Sequence, residues 1–477
     1  MFPSRERQRA VLSILCQSMR ILLLALPLAL AAQTGPWSTV TKSGYGFFHE
    51  PGLWRTSDGV LHVVWTEMDE SERFSFSYRT YAPQGQPPGP AVDGPARKWT
   101  SLTNPVLVPG PSGVLTLVFS GVQGEGPKEQ LFNQGGLYTS VRAPGAAGFV
   151  LEDREGARLR TAWPGPIGAA VAPDGGIWTG WPVNAGFFLQ RGFDKPEMID
   201  LADATCCTAM GQLAADAATG EVWGAWYSTA RAHVGLMVRK AAPERGVILP
   251  VPGAFGEVYG QEVIRPLEQQ LAFRGRGEGP GVFLAWCHGY PACTEIRLWQ
   301  PGGAAPITLT RSLALKGPAL SAAPEGRLWV MWIDRGSVPT VVRSNRAVTR
   351  FSKPITVPFT ASALPLKING EGSAGPLDLF VSAAGALYQT HIVPSFDVVA
   401  TPLSVSGSAG GTFKVTVTDL GDPVSGAKLE LGDLTAVTAA DGQAQLIVPP
   451  GRKPALLQLK VTHEAYKSAT SYLTLTR

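Results

Sequence analysis

The sequence predicts an all-β chain, and three observations predict it. A short apolar segment ending in Trp or Phe recurs along the chain, each copy follows a turn-forming tetrad, and the stretches between alternate apolar with polar or small residues. The composition agrees. With 55 Gly, 40 Pro and 13 Trp among 477 residues, and only 16% charged residues, many short strands joined by tight turns are expected.

Taken in order, the chain begins with a targeting segment. "MRILLLALPLALAAQ", from Met19, carries one positive charge, an apolar run and an Ala29-x-Ala31 cleavage pattern. The run is too short to span a bilayer, so residues 1–31 read as a secretory signal. Their removal takes away four arginines (Arg5, Arg7, Arg9, Arg20) against one acid, Glu6, which lowers the formal net charge from +4 to +1. The basic character therefore belongs mostly to the leader, and no nucleic-acid partner is expected. No later segment is apolar for long enough to cross a membrane.

The repeat follows. "GVLHVVW" ends at Trp65, "GVLTLVF" at Phe119, "GGIWTGW" at Trp181, "GEVWGAW" at Trp226, "PGVFLAW" at Trp286 and "GRLWVMW" at Trp332. A weaker seventh copy, "AGPLDLF", ends at Phe380. The intervals are 54, 62, 45, 60, 46 and 48 residues, and a period near 50 in β-rich sequence predicts a β-propeller of four-stranded units. Seven units are favoured; six is the alternative, because the last copy is the weakest. "WSTVTKS" (37–43) has no unit of its own, and the seventh unit lacks a fourth strand, so this segment is expected to complete that sheet and close the ring. The recurring tryptophans, at one register, are read as core between units, and His62 as a packing histidine.

After about residue 397 the period stops. Some 80 residues of short alternating strands, with turns at Gly421-Asp422-Pro423 and Asp441-Gly442, predict a small β-sandwich. The expected domains are thus 1–31, 32–396 and 397–477.

In such a ring the 1–2 turns lie on one face and the 2–3 and 4–1 connections on the other. The 1–2 turns are uniformly short ("TSDG", "GPSG", "APDG", "AATG", "APEG"). The 2–3 connections ("TEMDESER", "YSTARAH", "CHGYPAC", "IDRGSVP") and 4–1 connections ("GYGFFHEP", "DATCCTAMG", "INGEG") are longer and more polar, so binding is expected on their face. The candidate ligand-binding residues are His49, Glu50, Cys206, Cys207, Tyr227, Arg231, His288 and Tyr290; Asp334 and Arg335 lie on the same face. Four cysteines outlast the leader, an even number that implies disulfides in an exported protein. The six-residue offset of Cys287 and Cys293 suits a bridge across one 2–3 loop, which leaves a vicinal Cys206–Cys207 bridge. The alternative is two pairs cross-linking neighbouring units. No metal and no cofactor are expected: no phosphate loop, dinucleotide fingerprint, calcium loop or G-x-S-x-G elbow occurs, and "HEPGL" and "HEAYK" lack the second histidine of a zinc helix.

Two resemblances complete the reading. The repeats "SDGVLHVVW", "APDGGIWTGW" and "AAPEGRLWVMW" resemble the sialidase-type (BNR/Asp-box) superfamily, over about 360 residues. "DPVSGAKLEL" and "TAADGQAQL" resemble bacterial immunoglobulin-like modules, which act as spacers or adhesion units. The first resemblance implies a glycoside hydrolase with an arginine triad, a Tyr–Glu nucleophile pair and an Asp acid/base. This sequence departs from it. No Arg-Ile-Pro occurs where the family carries its first arginine ("FFHEPGLWR"), and the Asp-boxes survive only in part at Asp58 and Asp174, with Glu325 in the third. No catalytic residue is carried over; the acids to test are Glu50, Glu67 and Asp69. The expected protein is a secreted monomer that recognises an extracellular glycan or other polymer through its loop-rich face. The alternatives are an exo-acting sialidase-like hydrolase with non-standard catalytic residues and an adhesion scaffold.

Overall fold

The computed structural model describes residues 33–42, 50–83, 89, 91–93, 99–102, 105–122, 135–152, 167–183, 186–192, 194, 197–198, 209–230, 233–254, 257–259, 262–264, 271–289, 292–359 and 364–477. The expected leader and the candidates His49, Cys206, Cys207, Arg231 and Tyr290 lie outside the described residues. Among the described residues no α-helix occurs, and none is long and apolar enough to cross a membrane. The chain divides into two compact units, one of Thr34–Val393 and one that contains Pro394–Arg477. The division falls three residues before the expected 396/397.

The larger unit contains, among the described residues, seven antiparallel meanders. Sheet 1 is Gly52–Arg55, Leu61–Met68, Phe74–Tyr81 and Val92–Asp93. Sheet 2 is Val106–Pro109, Leu115–Val122, Gly136–Arg142 and Val150–Glu152. Sheet 3 is Gly168–Val171, Ile177–Val183, Gly186–Arg191 and Glu197–Met198. Sheet 4 is Ala209–Ala215, Val222–Ala230, His233–Ala242 and Leu249–Pro250. Sheet 5 opens with Leu271–Gly275, Val282–His288 and Cys293–Trp299. Its fourth strand is the first part of Ile307–Ala323, and the last part of that strand opens sheet 6. Sheet 6 continues with Arg327–Asp334, Val338–Arg343 and Ile355–Thr356. Sheet 7 is Lys367–Glu371, Leu377–Ala383 and Ala386–Val393.

Ser38–Thr41 pairs antiparallel with Ala386–Val393, as Ser38 with Gln389 and Thr39 with Tyr388. The N-terminal strand thus supplies the fourth strand of the last sheet. First strands of successive sheets touch in cyclic order, and sheet 7 touches sheet 1, which makes a propeller-like ring.

The repeat explains the packing. Each recurring aromatic sits on a second strand, and Trp65, Phe119, Trp181, Trp226, Trp286, Trp332 and Phe380 are all 3% exposed or less. Apolar clusters fill the seams between neighbouring sheets. Phe119 packs with Val64 and Phe76 between sheets 1 and 2, and Trp332 with Phe283 and Leu298 between sheets 5 and 6. Trp65 packs with Phe380, Leu387 and Val40 where the ring closes. Alternation along each strand feeds one seam per face, which is why both faces of the second strands read as apolar. Towards the axis the inner strands converge until side chains obstruct. A Cβ on Gly52 would stand 2.8 Å from the Pro105 carbonyl oxygen, and one on Gly168 2.5 Å from the Leu213 nitrogen.

Two connections differ from expectation. "INGEG" is the inner strand of sheet 7, not a 4–1 loop, because its residues pair in register with Asp378–Ser382. Between sheets 5 and 6 no loop intervenes: one 17-residue strand serves both. Pro318 is accommodated because its missing N–H falls at a register shift between Lys316 and Ala319, where no ladder bond is needed.

The C-terminal unit is a two-sheet sandwich. One sheet holds Asp397–Thr401, Gly411–Asp419, Asp422–Pro423 and Gln443–Val448. The other holds Ser404–Ser406, Tyr466–Thr476, Ala455–His463, Lys428–Leu431 and Leu434–Val437. Ser404–Ser406 runs parallel to Tyr466–Thr476. Phe413, Val415 and Leu446 from one sheet meet Leu429, Leu459 and Leu473 from the other in a single buried core.

Candidate functional site

The two faces of the ring differ in how their side chains are used. On the 1–2 turn face, polar ties join neighbouring sheets. Asp216 Oδ2 accepts from Gly281 N (2.7 Å), and Arg276 Nε donates to Gly326 O (2.7 Å). Trp329 Nε1 donates to Gly375 O (3.0 Å). At the closing seam Arg55 Nε lies 2.6 Å from Glu371 Oε2, and its other arm pairs with Asp378. Asp378 also accepts from Gln389, which is bonded in turn to Ser38 of the closing strand. The partial Asp-boxes belong here as well: Asp58 Oδ1 accepts from Thr56 Oγ1 (2.6 Å), and Asp174 Oδ1 from Gly176 N (2.9 Å). They fix turns.

At the axis the inner strands enclose a polar cavity of about 60 Å³, roughly the room of four or five waters. Glu50, Gln212, Arg274 and Asn369 line it. Gln212 Oε1 accepts from Phe273 N (2.8 Å), and Asn369 Nδ2 donates to Pro51 O (3.1 Å), so both amides also tie inner strands together. Arg274 keeps accessible surface because it projects into the cavity, yet protein surrounds it. Burial lowers its pKa, and Glu50 and Glu371 oppose that effect; the guanidinium stays charged. Burial likewise raises the Glu50 carboxyl above the usual range, partly offset by Lys367 and then Arg274. One cation, Arg274, and one acid that is reluctant to ionise, Glu50, therefore share the cavity wall, with Lys367 in electrostatic reach of the acid.

The other expected site residues are placed as follows. Glu67, at the end of the second strand of sheet 1, accepts the Trp65 indole N–H (2.7 Å). Asp69 Oδ1 accepts from Ser71 N (2.9 Å) and Arg73 N (3.0 Å), which shapes the 2–3 turn. Tyr227, expected on a loop, instead lies within Val222–Ala230 and is 5% exposed, because the strand extends to meet His233–Ala242. Cys287 and Cys293 form a disulfide that closes the 2–3 loop of sheet 5. Beside it, His288 is half-buried, and its pKa is lowered by burial and then by Arg297, with Glu295 and a hydrogen bond to Gly253 opposing. Asp334 Oδ1 accepts from Arg335 N (2.6 Å) on the 2–3 turn of sheet 6.

Glu50 is thus the one candidate acid on the cavity wall, while Gln212, Arg274 and Asn369 on that wall, and Lys367 in electrostatic reach of Glu50, were not foreseen. The signal for all four was a polar or charged residue in a unit's first strand, as in "LAFRG", "GQLAA" and "KINGE", where one face has no neighbour but the axis.

No family model matches this sequence, and no curated protein matches it. Among solved structures the chain is similar to an ulvan lyase of a new polysaccharide lyase family, PL25, at 10% identity over 76% of this chain and 95% of that one, with a TM-score of 0.45. It is similar to Hadza microbial sialidase Hz136 at 9% identity over 74% and 68%, with a TM-score of 0.44. It is also similar to a triple arginine-to-alanine mutant of AofleA from Arthrobotrys oligospora at 11% identity over 70% and 96%, with a TM-score of 0.42. Overlaps this loose carry no argument about activity.

Proposed function

We propose that the chain is an exported seven-bladed β-propeller with an immunoglobulin-like C-terminal module, and that it recognises an extracellular glycan bearing acidic groups at the axial mouth of the ring. The observation that carries this reading is Arg274 beside Glu50 on the wall of the axial cavity, with Lys367 in electrostatic reach of Glu50. A guanidinium fixed on a strand presents a planar fork of donors that matches a carboxylate or sulfate. The ties on the opposite face leave that face to hold the ring together. The parallel pairing of Ser404–Ser406 with the last strand supports the reading of the C-terminal sandwich.

The test is a glycan array on the exported chain, with acidic and neutral glycans compared. Preference for acidic glycans, reduced at least tenfold by Arg274→Gln, is the expected result. Equal binding of acidic and neutral glycans, unchanged in the variant, overturns it.

One observation favours a second reading, glycoside hydrolysis. A carboxyl whose pKa is raised by burial is what a proton donor needs, and Glu50 is such a group. Turnover of fluorogenic glycosides that is abolished in Glu50→Gln would replace recognition with catalysis.

A further inference from the structure

The long strand Ile307–Ala323 joins sheets 5 and 6. It starts as the outer strand of sheet 5, crosses the loop-rich face, and ends as the inner strand of sheet 6. It therefore runs from rim to axis, with a bulge between Arg311 and Leu315 where Ala314 takes φ 60°. Along it stand Arg311, 73% exposed, then Leu313, 63% exposed, then the half-buried Lys316. Beyond Lys316, Gly317 packs on Ile368, the neighbour of Lys367 in the inner strand of sheet 7. The path leads from a rim cation towards Lys367, which acts on Glu50 of the axial cavity.

The rim end is held in place. Glu295 carries two guanidinium groups, Arg297 Nε at 2.8 Å and Arg311 Nε at 3.1 Å. Arg297 NH1 also donates to Gly253 O (3.2 Å), and the Cys287–Cys293 disulfide fixes the strand ends beside them. The acids facing the path are Glu295, shared between two arginines, and Asp334, set beside Arg335 at the end of the strand paired with Lys316. Four cations against two acids leave the path positive. From Arg311 to Lys316 an extended chain spans at most about 17 Å, longer than any single sugar residue.

We infer that the ligand is an extended polyanionic polysaccharide, which lies along this strand with one acidic unit at the axis and further acidic units over Lys316 and Arg311. The inference rests on the proposed reading of the axial cavity, and charge complementarity along a rigid path is what selects the occupant. The rim does not act alone. It adds affinity only for chains long enough to reach it, since the second contact is then intramolecular.

The test uses galacturonate and its oligomers as probes on the exported chain, by calorimetry at several salt concentrations. Affinity should rise about tenfold from monomer to hexamer. Arg311→Gln should remove roughly fivefold of that gain and lower the slope of log affinity against log salt by about one, with monomer affinity unchanged. Lys316→Gln should act in the same direction. Hexamer binding no tighter than monomer, or a gain that survives both substitutions, overturns the rim path while leaving the axial reading intact. Loss of monomer binding together with indifference to Arg274→Gln overturns the axial reading itself, and this inference with it.

Discussion

His62 is neutral in the folded protein, and an unfolded chain at pH 5 would carry it charged. The ring is 3% exposed in the seam between sheets 1 and 2. Nδ1 lies 2.7 Å from Tyr78 Oη and Nε2 3.2 Å from Thr56 Oγ1, whose hydroxyl reaches Asp58 Oδ1 at 2.6 Å. Burial raises the Tyr78 pKa, so the phenol keeps its proton and donates to Nδ1. Burial is also the main reason the His62 pKa falls from 6.5 to about 4, with Arg142 adding to it and Asp58 opposing. Between those values the unfolded chain binds a proton that the folded chain refuses. Stability contributed by this group is therefore full above pH 6.5 and is lost as pH falls towards 4. At about 1.4 kcal/mol per unit, the loss amounts to about 3 kcal/mol. Urea unfolding followed by tryptophan fluorescence at pH 7, 6, 5 and 4 would measure it, with His62→Gln as the non-titrating reference. Other groups titrate in both proteins and cancel in the difference. The wild-type advantage should shrink by about 3 kcal/mol across the window. Parallel pH profiles, or a folded-state ring that titrates at 6 or above by NMR, would refute the reasoning.

Other consequences follow from the same structure. Arg55→Met leaves the Glu371 and Asp378 side chains, each 10% exposed, without their shared guanidinium at the closing seam, and should cost about 3–5 kcal/mol. Arg452→Met, which breaks an exposed pair with Asp433, should leave the urea midpoint unchanged. Trp332→Ala empties the seam between sheets 5 and 6 and should cost about 3–5 kcal/mol, visible as a lowered thermal midpoint. Because burial raises the Glu50 pKa, falling pH neutralises this acid early and leaves Arg274 and Lys367 less compensated. Binding of an acidic glycan should therefore strengthen as pH falls through the raised Glu50 pKa, and the dependence should vanish in Glu50→Gln.

The legible part of the fold was local. Second strands announce themselves because their aromatic ends must fill a seam, and short turns because only certain residues take their dihedrals. The orphan segment at residues 37–43 pointed to the closing strand because the seventh unit lacked a partner for Ala386–Val393. One reading failed for a physical reason. "INGEG" looks like a loop by composition, but strand pairing outweighs local propensity when a neighbour supplies the ladder.

The sequence alone determined the period, the register of the buried aromatics, the closing strand and the order of the units, since each depends on residues close together in the chain or repeated along it. Only the tertiary structure decided the site. Glu50, Arg274 and Lys367 belong to three distant units, and nothing near any of them in the chain marks it as the other two's neighbour. They meet because a ring brings the first strand of every unit to one axis, where charges that would be solvated on a surface are drawn out of water and act on one another.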